Sequence, residues 1–230
     1  MGPVDYSLLI TDLLVEVCCV VLLLKQKALP RYFTFILYLC ASIAIGIGRY
    51  FVIAAAGFTS SAYLYFYFFS DALLTICLYF VLMSLYARVF SEMGVSKLVR
   101  AGAMLLLAGT VSISYYMVAS SSDRLVTKFV VEISQNLYFV GVVLTYLLWG
   151  AMMKLRENRT RLMQLVLSMG VYFSAFAGSF AMENLYPDLV LWRYVCHLMV
   201  MWLPISWAYT FMKAPEEERM ATARVVAPTQ

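Results

Sequence analysis

Eight side chains have the types and spacing to build a site: Asp12, Glu16, Arg49, Asp71, Glu132, Asn136, Arg193 and His197. Each interrupts an apolar run, and an ionised group at the centre of a bilayer-spanning helix costs at least ~2.5–3.5 kcal/mol. Such residues are expected to turn away from lipid and find partners. Asp12/Glu16, Lys128/Glu132, Glu132/Asn136 and Arg193/His197 are four residues apart, so each pair shares a helix face. Acids outnumber firm bases: Asp12, Glu16, Asp71 and Glu132 stand against Arg49, with His197 titratable. At least one acid must then be neutralised by a proton, a bound cation or a basic ligand. Asp12 and Glu16 are the pair expected to share a proton. The chemistry these residues could perform is binding of a small polar or charged ligand, or proton relay, in a pocket open to the outside. The competing expectation is an ion-pair network that orders the bundle, with Arg49 meeting Asp12 or Asp71 and Arg193 meeting Glu183.

Positioning these groups falls to long apolar segments. The 230 residues are 63% hydrophobic and 13% charged, with a mean hydropathy of +0.83. A soluble domain is nearer a quarter charged, so the composition points to a multi-pass protein of the cell membrane. Seven stretches approach the roughly 20 residues needed to span: Ser7–Leu24, Tyr32–Ala56, Ala62–Ala87, Leu98–Val118, Leu125–Met153, Leu162–Met182 and Leu189–Met212. They are continuous rather than alternating, which predicts an all-α bundle of seven transmembrane helices and not a barrel. Residues 1–212 form one transmembrane domain, and 213–230 a short charged tail expected to be disordered. Counting from segment midpoints at about 1.5 Å per residue puts Arg49, Asp71, Glu132 and His197 roughly 6–9 Å outward of the midplane. Asp12 falls at a similar height, and Glu16 near the centre.

Orientation follows from the basic residues. Lys25, Lys27 and Arg31, then Arg88, Lys97 and Arg100, then Lys154, Arg156, Arg159 and Arg161, then Lys213, Arg219 and Arg224 fall to one side. The positive-inside rule makes that side cytoplasmic, with the N-terminus outside. The sequon at Asn158 would then be silent. Aromatics from Tyr63 to Phe69 open the third segment at the outer boundary, and Trp149 and Trp207 are expected at the inner one. Small residues four apart (Ser42/Gly46, Ala44/Gly48, Ser174/Gly178) would let helices approach closely. The fourth segment, with only Thr110, Ser112 and Ser114 inside it, reads as a lipid-facing scaffold.

Several function classes fall away. Basic residues in short clusters between apolar runs give orientation, not a nucleic-acid footprint. Five cysteines without CxxC spacing read as small buried hydrophobes. The acidic N-terminus is no signal peptide, and neither terminus carries a lipidation motif. A single histidine excludes bis-histidine haem and multi-histidine zinc sites, so no cofactor is expected. The last segment lacks the lysine a retinal protein requires. Ser179 and His197 stand at comparable depth but without the motifs of a membrane serine protease, so an enzyme is not the expected reading.

Two resemblances remain. An acidic first helix ending in a basic loop (Glu16 to Lys25–Arg31; Glu132 to Lys154–Arg161) is followed by a small-residue second helix (Gly46, Gly48; Gly170, Gly178). A third carries a charge in its outer half (Asp71; His197). This layout is similar to the PQ-loop and sugar-exporter carriers, built as three plus one plus three, although the Pro-Gln dipeptide of those families is missing. As a whole the chain resembles uncharacterised bacterial seven-helix integral membrane proteins. The likeness rests on Arg31-Tyr32-Phe33, the aromatics leading to Ser70-Asp71, and Glu132 heading a long helix with a basic end. That family lends no activity. The functional expectation is therefore a ligand- or ion-responsive membrane module, with membrane lipid around it and a protein partner docking on the basic inner loops. A proton-coupled carrier or a structural subunit of a membrane complex are the alternatives.

Overall fold

The computed structural model describes residues 3–26, 32–57, 60–90, 96–119, 125–154, 159–186 and 191–214. Among them all regular structure is helical: α1 (Pro3–Lys25), α2 (Phe33–Ala56), α3 (Ser61–Val89), α4 (Ser96–Ala119), α5 (Leu125–Lys154), α6 (Thr160–Leu185) and α7 (Leu191–Lys213). Long unbranched and aromatic apolar runs satisfy their backbone internally as helices, the solution a lipid environment demands. Five are long and apolar enough to cross a membrane: Phe33–Ala56, Ser61–Val89, Phe129–Lys154, Thr160–Glu183 and Val195–Lys213. The chain is thus built as a multi-pass membrane protein. Asn158 and the tail from 215 onward lie outside the described residues.

Local chemistry sets the helix ends. The chain leaves α2 through Gly57 at φ +83°, a conformation that L side chains rarely adopt, and the Gly57 N–H still reaches the Ile53 carbonyl. Ser60 then caps α3, its Oγ accepting from the Tyr63 N–H at 3.1 Å.

Neighbouring helices close a ring in the order α1, α2, α3, α5, α6, α7 and back to α1. α4 stands outside this ring, packed on α5 and α3. Its outer side is apolar, with Leu105, Tyr115 and Tyr116 exposed, while Ser114 is buried. The core runs through the ring, with Leu39, Leu82, Leu137, Leu165 and Phe173 nearly inaccessible. Close approach is concentrated between α5 and α6. A Cβ on Gly141 would lie 2.5 Å from the Phe173 ring, and one on Gly170 3.1 Å from Thr145. Between α2 and α3, a Cβ on Gly48 would lie 2.8 Å from the tip of the Phe66 ring. Of the expected small-residue pairs, Gly48 makes a tight contact, whereas Gly178 has nothing within 4 Å.

At the end where α1, α3 and α7 finish and α2 and α6 begin, rings seal the bundle. Phe35 meets Trp207 at 4.7 Å and Tyr32 meets Phe211 at 4.9 Å, both edge-on. Trp207 is wholly buried and donates its Nε1–H to Ser168 Oγ at 3.0 Å. This corrects its expected place in an interfacial belt; Trp149 is half-buried. Arg161 closes the C-terminus of α7 with two bonds to the Ala214 carbonyl, at 3.0 and 2.7 Å. Gln26 donates to the Phe211 carbonyl at 2.7 Å, and the Arg88 guanidinium lies 4.1 Å over Tyr32.

Candidate functional site

Toward the opposite end, a polar cluster occupies the space between α1, α2, α3 and α5. Its first members come from α1, where Asp12 and Glu16 share a face. Glu16 is sealed, 4% exposed, and accepts a hydrogen bond from Ser42 of α2. Asp12, one turn nearer the N-terminus, is half-buried, and its Oδ1 is buried without a hydrogen-bond partner.

Arg49 of α2 sits at the centre. It lies within Coulombic reach of Asp12, Glu16 and Asp71. Its hydrogen bond, however, goes from Nη2 to Ser70 Oγ at 3.1 Å, and its guanidinium stacks 4.7 Å above Tyr67. Arg49 Nε is buried with no partner. The arginine is held by α3 through Ser70 and Tyr67, while its Nε is left without a hydrogen bond. Among the described residues no hydrogen bond joins Arg49 to Asp12 or Asp71, the two partners the ion-pair expectation offered it.

Asp71 lies deep between α3 and α5 yet keeps a half-buried side chain. Ser134 of α5 faces it, 3% exposed, with an Oγ that forms no well-aligned hydrogen bond. Below this level four hydroxyls stand in a row. Tyr38 meets Tyr172, Tyr172 meets Tyr138, and Tyr138 meets Thr75. Tyr38 is within electrostatic reach of Glu16 and Asp12, and Tyr138 and Tyr172 of Asp71. Aromatic faces back the row, Phe176 lying 4.7 Å from Tyr138 and 4.6 Å from Tyr172.

The remaining expected members are placed elsewhere. Asn136 donates to Ser114 of α4 at 3.0 Å. Glu132, one turn earlier on the same face, therefore points to the α4 side, about 200° around the helix from Ser134. His197 is exposed but within electrostatic reach of Asp12. Ser179 faces Cys196. The side chains of Arg193 and Lys128 lie outside the described residues. So the structure brings Asp12, Glu16, Arg49 and Asp71 together, keeps His197 at their margin, and turns Glu132 and Asn136 away.

The three tyrosines, Ser42, Ser70 and Ser134 complete the cluster, and reading charges alone missed them. A signal was present. Tyr67, Asp71 and Thr75 recur at four-residue spacing, as do Tyr38 with Ser42 and Ser134 with Tyr138, so each helix carries a polar stripe through its apolar run. Among the described residues no group of three or more His, Cys, Asp or Glu side chains is placed to hold a metal. A separate apolar groove between α1 and α7, about 390 Å³, is lined by Leu14, Cys18, Ile205 and Tyr209 among others, with no charged group. No family model, curated protein or solved structure matches the chain.

Proposed function

We propose that all seven helices cross the cell membrane, with the N-terminus outside, and that the cluster around Arg49 is an outward-facing pocket for a small polar or charged ligand. The observation that carries this reading is the pair of buried, unpartnered atoms, Asp12 Oδ1 and Arg49 Nε. Buried polar atoms are nearly always satisfied, and a donor and an acceptor left open in one cluster are what a ligand would complete. The orientation is supported by the gathering of Lys25, Arg88, Arg161 and Lys213 at the sealed end. Ligand occupancy would pass along the helices to a protein partner on that basic face.

A second reading is a small carrier of three-plus-one-plus-three type. The place of α4 outside the ring favours it, since the single connecting helix of that layout is the one not shared by the two triplets. Purified protein in liposomes separates the readings. A sensor binds its ligand without flux, and a carrier moves solute or protons in a way that Glu16→Gln stops while the fold is kept. If neither binding nor flux is found, and Arg49→Ala only lowers stability, the chain is a structural subunit.

A further inference from the structure

Resting on that pocket, we infer that its ligand is a small organic ammonium ion carrying an oxygen acceptor of its own. Three carboxylates, Asp12, Glu16 and Asp71, surround one arginine, and that arginine is already shared with Ser70 and the Tyr67 ring. With His197 beside Asp12 as a second, titratable base, the acids still outnumber the bases three to two, so one of them takes up a proton or a bound cation. Two of the cluster's positions can accept hydrogen bonds: Asp12 Oδ1, which has no hydrogen-bond partner, and Ser134 Oγ, whose proton is turned to Asp71. A third, Arg49 Nε, can only donate. An ammonium group supplies three donors and the missing charge, and an adjacent oxygen receives the arginine proton.

The walls agree with this chemistry. The partly exposed Tyr67 ring, which already carries the Arg49 guanidinium, is a π surface of the kind that holds organic cations. A bare metal ion is the poorer match, because the carboxylates do not converge to a chelating distance. An anion would meet Arg49 but also three carboxylates.

The test uses full-length protein in detergent, its five native cysteines replaced, with Ser134→Cys placing one thiol beside Asp71. Rates of modification by aminoethyl and sulfonatoethyl methanethiosulfonate are each normalised to a free thiol in solution. The cationic reagent should react about tenfold faster or more, the scale on which a charged cleft concentrates a counter-ion. Ethanolamine should slow that reaction and acetate should not, and Asp12→Asn with Asp71→Asn should erase the preference. Equal or reversed rates, protection by acetate, or no protection by ethanolamine would overturn the ammonium assignment while leaving a wet pocket. Reaction with neither reagent would overturn the pocket itself. Should Ser134→Cys fail to fold, Tyr67→Cys, one turn from Asp71 on an exposed face, is read by the same outcomes.

Discussion

The two ends of this bundle solve the same problem in opposite ways. Both bring arginines and hydroxyls among aromatic rings. At the sealed end Trp207 finds Ser168, Arg161 finds the Ala214 carbonyl and Gln26 finds the Phe211 carbonyl. At the polar end, among the described residues, Arg49 finds one side-chain hydrogen-bond partner, Ser70, while Asp12 Oδ1 and Arg49 Nε have none. Unsatisfied buried groups cost stability, and although Gln164 Oε1 is one such atom on the first turns of α6, the orphans Asp12 Oδ1 and Arg49 Nε lie in one cluster, where a single ligand could relieve both. On the proposed reading, stability and binding fall to different ends of the same helices.

The largest effect that could break this contrast lies at the sealed end. Trp207→Ala removes the largest fully buried side chain, and its edge contacts with Phe35 and Tyr38 go with it. The indole hydrogen bond is lost, but Ser168 still donates to the Leu165 carbonyl at 2.7 Å, so no orphan is created there. Loss of packing alone should cost ~3–5 kcal/mol. Chemical unfolding in mixed micelles measures it, and modification of Ser134→Cys in the same protein should keep its preference for the cationic reagent. A small loss of stability, or a lost preference, would mean the two ends are one cooperative unit.

A somewhat smaller effect is expected in the wall that joins them. Gly141→Ala pushes a methyl group into the Phe173 ring, which is 1% exposed and near its own backbone at that contact, so it cannot swing aside. Overpacking of this kind costs ~1–3 kcal/mol. Gly48→Ala meets only the tip of the half-buried Phe66 ring and should be milder. Equal losses at the two glycines would show that the α5–α6 contact is not the tighter seam.

How much of this was legible beforehand differs between the two ends. The helices were, because seven apolar runs leave the backbone no other solution. The cluster was legible in part: Asp12, Glu16, Arg49 and Asp71 announce themselves by the expense of burying charge. Trp207 did not. A tryptophan near a helix end looks the same in sequence whether it faces headgroups or a neighbouring Phe35, and only helix rotation decides. Depth along the axis, which the sequence yields, could not separate Glu132 from Asp71. Their azimuths differ, and azimuth depends on which helix stands outside the ring. The tyrosine row was hidden for a related reason, since Tyr38, Tyr138 and Tyr172 come from three helices that only the ring brings together.

The smallest expected change in stability gives the sharpest view of the comparison. Asp12→Asn keeps the shape of the side chain and removes its charge. Asp12 makes no hydrogen bond through Oδ1, and Arg49 retains Ser70, Tyr67, Glu16 and Asp71 around it. Neutralising a buried carboxylate with so little compensation should leave stability within about 0.5 kcal/mol of the parent, or raise it. Ethanolamine should nonetheless lose its stabilising effect in thermal unfolding, because linkage requires a ligand that no longer binds the folded state to leave its melting temperature alone. A loss of more than about 2 kcal/mol would make Asp12 a paired structural charge, as a broken buried pair is costly. The polar end would then be a second sealed end. The two ends remain distinct only if the charge at Asp12 matters to the ligand and not to the fold.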